Sequence, residues 1–136
     1  MTTAKRFEDL DVWQRAKELT NLVYRFSSSG PFSHDAGLRD QMRRASISIM
    51  SNIAEGFESQ TQALFIRYLG YAKGSAGELR AQLYIVLEQG YVSDDEFRST
   101  LSLAELCSKQ ITRLIQYLET QPNARRVRED GASYDV

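Results

Sequence analysis

The chain has one cysteine, two prolines and a single histidine among 136 residues, and each scarcity removes a class of explanation. With Cys107 alone, there can be neither an intramolecular disulfide nor a multi-cysteine metal site. Because Cys107 falls on an apolar helical stripe, it reads as a small core residue rather than a nucleophile. His34 lies near an expected helix start and reads as an exposed or capping-region residue. The sequence contains no HExxH, no phosphate-cradling glycine-rich loop and no nucleophile elbow. Glu55 and Glu78 could in principle act as paired carboxylates, but nothing supplies the Glu-x-x-His repeats of a di-iron bundle. We therefore expect no enzyme, no cofactor and no metal.

An excess of charge of one sign is missing too. With 17 basic and 18 acidic residues, the formal net charge is -1. No global field draws the chain to phosphate backbones, so any nucleic-acid contact needs a local patch. No uncharged run is long enough to span a bilayer, and the opening MTTAKRFEDLDVW lacks the apolar stretch of a signal peptide. The expected location is the cytoplasm, with no membrane partner.

What is present is helical pattern. At 42% hydrophobic and 26% charged residues the composition is that of a globular protein, and the length suits one domain. The prolines, Pro31 and Pro122, both fall where a helical period stops. Between the chain start and Pro122 the period predicts four helices, over about 10–28, 34–57, 60–89 and 94–120. The first, capped by Asp9 or Asp11, carries Val12, Ala16, Leu19, Val23 and Phe26 and stops at SSSGPF. The third opens with a Ser59/Gln62 capping box and carries Phe65, Leu69, Ala72, Ala76, Leu79, Leu83 and Leu87 to a stop at Gly90. The fourth opens with Ser93 and Glu96 in the same arrangement and carries Phe97, Leu103, Cys107, Ile111, Leu114 and Leu118. No segment alternates like a strand. Four helices with short connections give an all-α, antiparallel up-down four-helix bundle over residues 1–121. Residues 122–136 lack an apolar period and read as a flexible C-terminal tail.

Helix two, with its segment RRASISIMSNIAEGF, carries more apolar surface than a bundle needs. On a wheel of about 100° per residue, Leu38, Met42, Ala45, Ile49, Ile53 and Gly56 form the core seam. Ile47, Met50, Ala54 and Phe57 form a second stripe. Helix three repeats this excess: opposite its core stripe lie Ile66, Gly70, Gly74, Gly77, Ala81 and Tyr84. A helical glycine costs about 1 kcal/mol relative to alanine, so three imply a compensating close approach by another backbone. The simplest partner is another copy of the chain. The oligomer-interface candidates are therefore Ile47, Met50, Phe57, Ile66, Gly70, Gly74, Gly77 and Ala81.

Polar residues of helix two, Asp40, Arg44, Ser48, Ser51 and Glu55, fall on a third stripe with Gln41 and Asn52 at its edge. A helix two–three hairpin brings Arg39 and Arg43 near the levels of Glu78 and Gly74 and suggests an arginine bridge to Glu78. Arg39, Arg43, Arg44, Asn52, Glu55 and Glu78 are thus candidates for a polar network that fixes helix register, or else for a ligand contact.

Three segments, FEDLDVWQRAKEL, QMRRASISIMSNIAEGF, and FIRYLGYAKGSAGELRAQL followed by GY, resemble the successive signatures of the bacterial four-helix-bundle family also called 23S rRNA intervening-sequence proteins. The resemblance covers roughly residues 7 to 118. It implies a cytosolic antiparallel bundle assembled as a ring-like homopentamer. Some relatives are encoded within intervening sequences of ribosomal RNA genes; others, the accessory variability proteins of diversity-generating retroelements, bind a reverse transcriptase and nucleic acid. Those relatives tend to be basic and this chain is slightly acidic, so only weak generic nucleic-acid binding is expected. The leading expectation is a non-enzymatic oligomeric scaffold presenting a surface to a protein or ribonucleoprotein partner. The alternative is a nucleic-acid-binding ring that meets phosphates through Arg39, Arg43, Arg44, Lys73, Arg80 or the tail residues Arg125, Arg126 and Arg128.

Overall fold

The computed structural model describes residues 3–121 and 134–135. Four long helices carry the fold: α1 (Asp11–Ser27), α2 (Ala36–Glu58), α3 (Gln62–Glu88) and α4 (Asp94–Glu119). Short 3-10 turns at Phe7–Asp9 and Pro31–His34 lead into α1 and α2. Thr3–Ala4 pairs antiparallel with Tyr134–Asp135, a contact too short to show as alternation in the sequence. The remainder of the expected tail, 122–133 and 136, lies outside the described residues.

Local chemistry sets the helix ends. Asp35 caps α2 by accepting from Leu38 N at 3.3 Å. At α4 the Ser93/Glu96 capping box is complete, with Ser93 N donating to Glu96 Oε1 at 2.8 Å and Glu96 N donating to Ser93 Oγ at 3.1 Å. Gly90, at φ +73°, follows α3 in a conformation that side chains disfavour. The α3 start corrects the sequence reading: Thr61, not Ser59, is the cap, accepting from Leu64 N at 3.1 Å. Ser59 instead donates to Gly56 O at 2.6 Å, closing α2. Asp9 does not cap α1; its carboxylate accepts from Lys5 N and Arg6 N ahead of the first turn.

Each helix packs on the next in sequence and α1 returns to α4, completing the up-down bundle. Cross-helix bonds tie neighbouring helices together: Thr20 Oγ1 to Ser46 O at 3.1 Å joins α1 to α2, and Ser48 and Ser75 share a 2.9 Å bond between α2 and α3. The core contains Leu19, Val23, Met42, Ile49, Ile53, Phe65, Leu69, Leu79, Leu83 and Ile111, all fully buried. Burying each such side chain stabilises the fold by about 1.5–3 kcal/mol. Two stripes drift by one residue from the expected period: Val86 rather than Leu87 is buried on α3, and Ala104 rather than Leu103 on α4. Cys107 is buried against α1, and burial pushes its thiol up to about 12.

Candidate interaction surfaces

Three surface features could carry function: the outer face of α3, the polar side chains of α2, and the groove between α3 and α4.

The outer face of α3 lies opposite its core stripe. Gly70, Gly74, Gly77 and Ala81 are exposed, and a β-carbon built at any of these three glycines meets nothing within 4 Å. Beside them on α3 stand large exposed apolar groups, Tyr71 at 55%, Tyr84 at 50% and Ile85 at 46% exposure; Ile47, 39% exposed, lies on α2 away from this face. Tyr71 and Ile85 escaped the sequence reading because they flank the small-residue stripe instead of sharing its angle. Ile66 and Met50 are half-buried and packed against the core edge. Phe57 requires correction. It is fully buried, with its ring edge-to-face on Phe65 at 6.0 Å, because α3 folds back over the end of α2. It belongs to the chain's own core. Among the described glycines only Gly56 has a close neighbour within the chain.

The polar side chains of α2 divide into separate groups. Arg43 turns toward α1, donating from Nε to Ser27 Oγ at 2.9 Å and from Nη2 to Ser28 Oγ at 3.2 Å, with its guanidinium 4.5 Å from the Tyr24 ring centre. Arg39 donates to Ser33 O at 2.7 Å and pairs with Asp40 at 2.9 Å. That hydrogen bond holds the Asp40 carboxyl below its ordinary value. Asn52 donates to Ser48 O at 2.8 Å, extending the Ser48–Ser75 contact. Arg44, Glu55 and Glu78 are exposed. Among the described residues there is no arginine bridge to Glu78. Arg39 and Arg43 lie on the α1 side of α2, whereas Glu78 stands on the outer face of α3. The expected single network is thus three local ones, each joining neighbouring elements.

The groove of about 520 Å³ between α3 and α4 is lined by Lys73, Arg80, Glu105, Ser108, Lys109, Thr112, Arg113 and Gln116. Lys73 and Arg80 were sequence candidates for phosphate contact. Lys109 and Arg113 were missed; their i,i+4 spacing places them on one face of α4, but only the α3/α4 register shows which neighbours they join. Arg80 Nη2 lies 3.6 Å from Glu105 Oε2, and its buried Nε has no hydrogen-bond partner. Arg125, Arg126 and Arg128 lie outside the described residues.

A second cavity, about 600 Å³, sits at the bundle end between Leu22, Arg25, Phe26, Tyr91 and Ser99. Its wall is built for rigidity: Phe32 stacks on Tyr91 at 5.2 Å and on Phe26 at 6.0 Å, and Tyr91 Oη donates to Asp35 Oδ2 at 3.0 Å. The Asp35 bond raises the Tyr91 hydroxyl above its ordinary value. His34 is exposed beside this turn. Among the described residues no group of three or more histidine, cysteine, aspartate or glutamate side chains could hold a metal, and no helix is long and apolar enough to cross a membrane.

A sequence model of one family, described as 23S rRNA-intervening sequence protein, matches residues 8–113. The chain is also similar to a crystal structure of a protein with unknown function from the S23 ribosomal protein family of Bacteroides thetaiotaomicron. That likeness has a TM-score of 0.69 and 21% identity, covers 77% of this chain and 95% of the other, and speaks to fold. No curated protein matches the chain.

Proposed function

The chain belongs to the 23S rRNA-intervening sequence protein family, and from that membership we propose that it acts as a non-enzymatic, homo-oligomeric helical scaffold whose copies meet through the outer face of α3. The observation that carries this reading is the open space over Gly70, Gly74 and Gly77, flanked on α3 by exposed Tyr71, Tyr84 and Ile85. Among the described residues nothing lies over these glycines to offset the roughly 1 kcal/mol that each helical glycine costs. A second backbone laid along the stripe would offset it, since small residues let helices approach closely and the flanking aromatic and aliphatic groups supply apolar area. Five copies in a ring is the assembly that the motif resemblance implies. The assembled ring presents its remaining surface to a protein or ribonucleoprotein partner.

The test is Ile85→Glu, which puts a charge on this face at a side chain that is 46% exposed in the single chain. The reading expects sedimentation velocity to show a smaller species with helical circular dichroism unchanged. Sedimentation identical to that of the unaltered protein would contradict it.

A further inference from the structure

We infer that the surface covering the outer face of α3 in the assembly is the outer face of α2 on the next copy, held in register by two ion pairs, Arg44 to Glu78 and Glu55 to Arg67. The inference rests on the reading of α3 as an interface and names what meets it. A surface that meets its own copy closes a two-fold pair, whereas a ring needs two different surfaces on each chain.

The outer face of α2 has the complementary pattern. Arg44, Ile47, Ser51 and Glu55 are exposed and follow one another at spacings of three, four and four, so they share one face of the helix. On α3 the exposed residues Glu78, Gly74, Gly70 and Arg67, read toward the N-terminus, are spaced four, four and three. Each face therefore carries an arginine and, eleven residues later, a glutamate, about 16 Å further along the axis at 1.5 Å rise per residue. Laid antiparallel, the two faces set arginine against glutamate at both ends. Within one chain these charges sit on adjacent helices without bridging: none of the four forms an ion pair among the described residues. Between them, Ile47 is the large apolar side chain exposed on α2, and the α3 glycines offer the space to receive it.

The chain's own register decides between a ring and a filament. Ser48 bonds Ser75 at 2.9 Å, and a β-carbon on Gly56 meets Phe65 and Tyr68. By the same register Arg44 stands level with Glu78, Ile47 with the Gly74–Gly77 stretch and Glu55 with Arg67. A rotation about an axis parallel to the helices keeps every residue at its own height and lays α2 of one copy antiparallel to α3 of the next. Arg44 then meets the next copy's Glu78, and Glu55 its Arg67, with no rise along the axis. Zero rise is the condition for a closed ring; any rise generates a helical filament. Ile47 and the apolar groups flanking the glycines supply the buried area, and the two ion pairs fix direction and register.

The experiment uses two charge-reversed full chains, one carrying Arg44→Glu with Glu55→Arg and the other Arg67→Glu with Glu78→Arg, compared with the unaltered protein by native mass spectrometry. Each alone should need roughly tenfold more protein to assemble, because both ion pairs become like-charge contacts. Mixed, the two should assemble again as species holding equal numbers of each chain, since every reversed face then meets its complement. Bridges formed within one chain could not produce that recovery. A chain with all four reversals should assemble like the unaltered protein, which guards against a folding defect. The inference is overturned if either reversed chain alone assembles like the unaltered protein, or if the mixture does not recover. Should the reversals have no effect while Ile85→Glu still splits the assembly, α3 meets a surface other than α2, such as α3 of a two-fold mate, and this inference alone falls. An unaltered chain that is a single copy at micromolar concentration overturns both this inference and the reading of α3 as an interface.

Discussion

A β-carbon placed on Gly56 would lie 2.9 Å from Cδ1 of Phe65 and also 2.9 Å from Cβ of Tyr68. Here α2 and α3 pack closely against each other, just before the turn that reverses the chain. Tyr68 Cβ is anchored to its own backbone and cannot swing away, so one of the two helices must shift. Gly56→Ala should therefore lower stability by about 1–3 kcal/mol by overpacking, despite the helix propensity that alanine adds. Urea denaturation checks this; a higher midpoint would show that the helices slide apart at little cost.

Arg43 joins α1 to α2 through two hydroxyls and the Tyr24 ring. Arg43→Ala should cost about 1–2 kcal/mol, and lysine should not restore it because an ammonium lacks the planar fork. An unchanged denaturation midpoint for the alanine variant would remove this structural role.

Burial pushes the Cys107 thiol up from its ordinary 9.0 to about 12. Raised in the folded state, it contributes stability that is complete below about pH 9 and lost as pH rises toward 12, because the unfolded thiol ionises first. The native thiol should also react slowly with a disulfide reagent at pH 8 and rapidly in denaturant. Fast labelling of the folded protein would place the thiol at the surface.

Gly74 separates the two meanings of a helical glycine. Among the described residues nothing lies within 4 Å of a β-carbon built there, so Gly74→Leu should leave the single chain's fold intact and add about 1 kcal/mol of helix propensity. In the assembly the same leucine fills the space where a second backbone approaches. The variant should keep its helical signal and lose subunit contacts in chemical cross-linking; a cross-linking pattern like that of the unaltered protein would make Gly74 an ordinary surface glycine.

The helices and their core seams were legible because a 3.6-residue period is a local property, as the Ser93/Glu96 box also is. Ser59 was misread because it and Thr61 are both good caps, and hydrogen bonding to Gly56 O, set by the turn, decides between them. Phe57 shares the angle of an outer stripe, and only the return of α3 covers it. The destination of Arg43 depends on how α1 is rotated against α2, and the gathering of Lys109 and Arg113 with Lys73 and Arg80 depends on the α3/α4 register. Both are long-range relations that no single helix wheel contains.

The account rests on the outer face of α3 being covered by other copies of the chain, and light scattering on the eluting peak at micromolar concentration tests that most directly. The account predicts a native mass that is a multiple of the 15.5 kDa chain, with five copies expected. A stable species at the mass of one chain would contradict it.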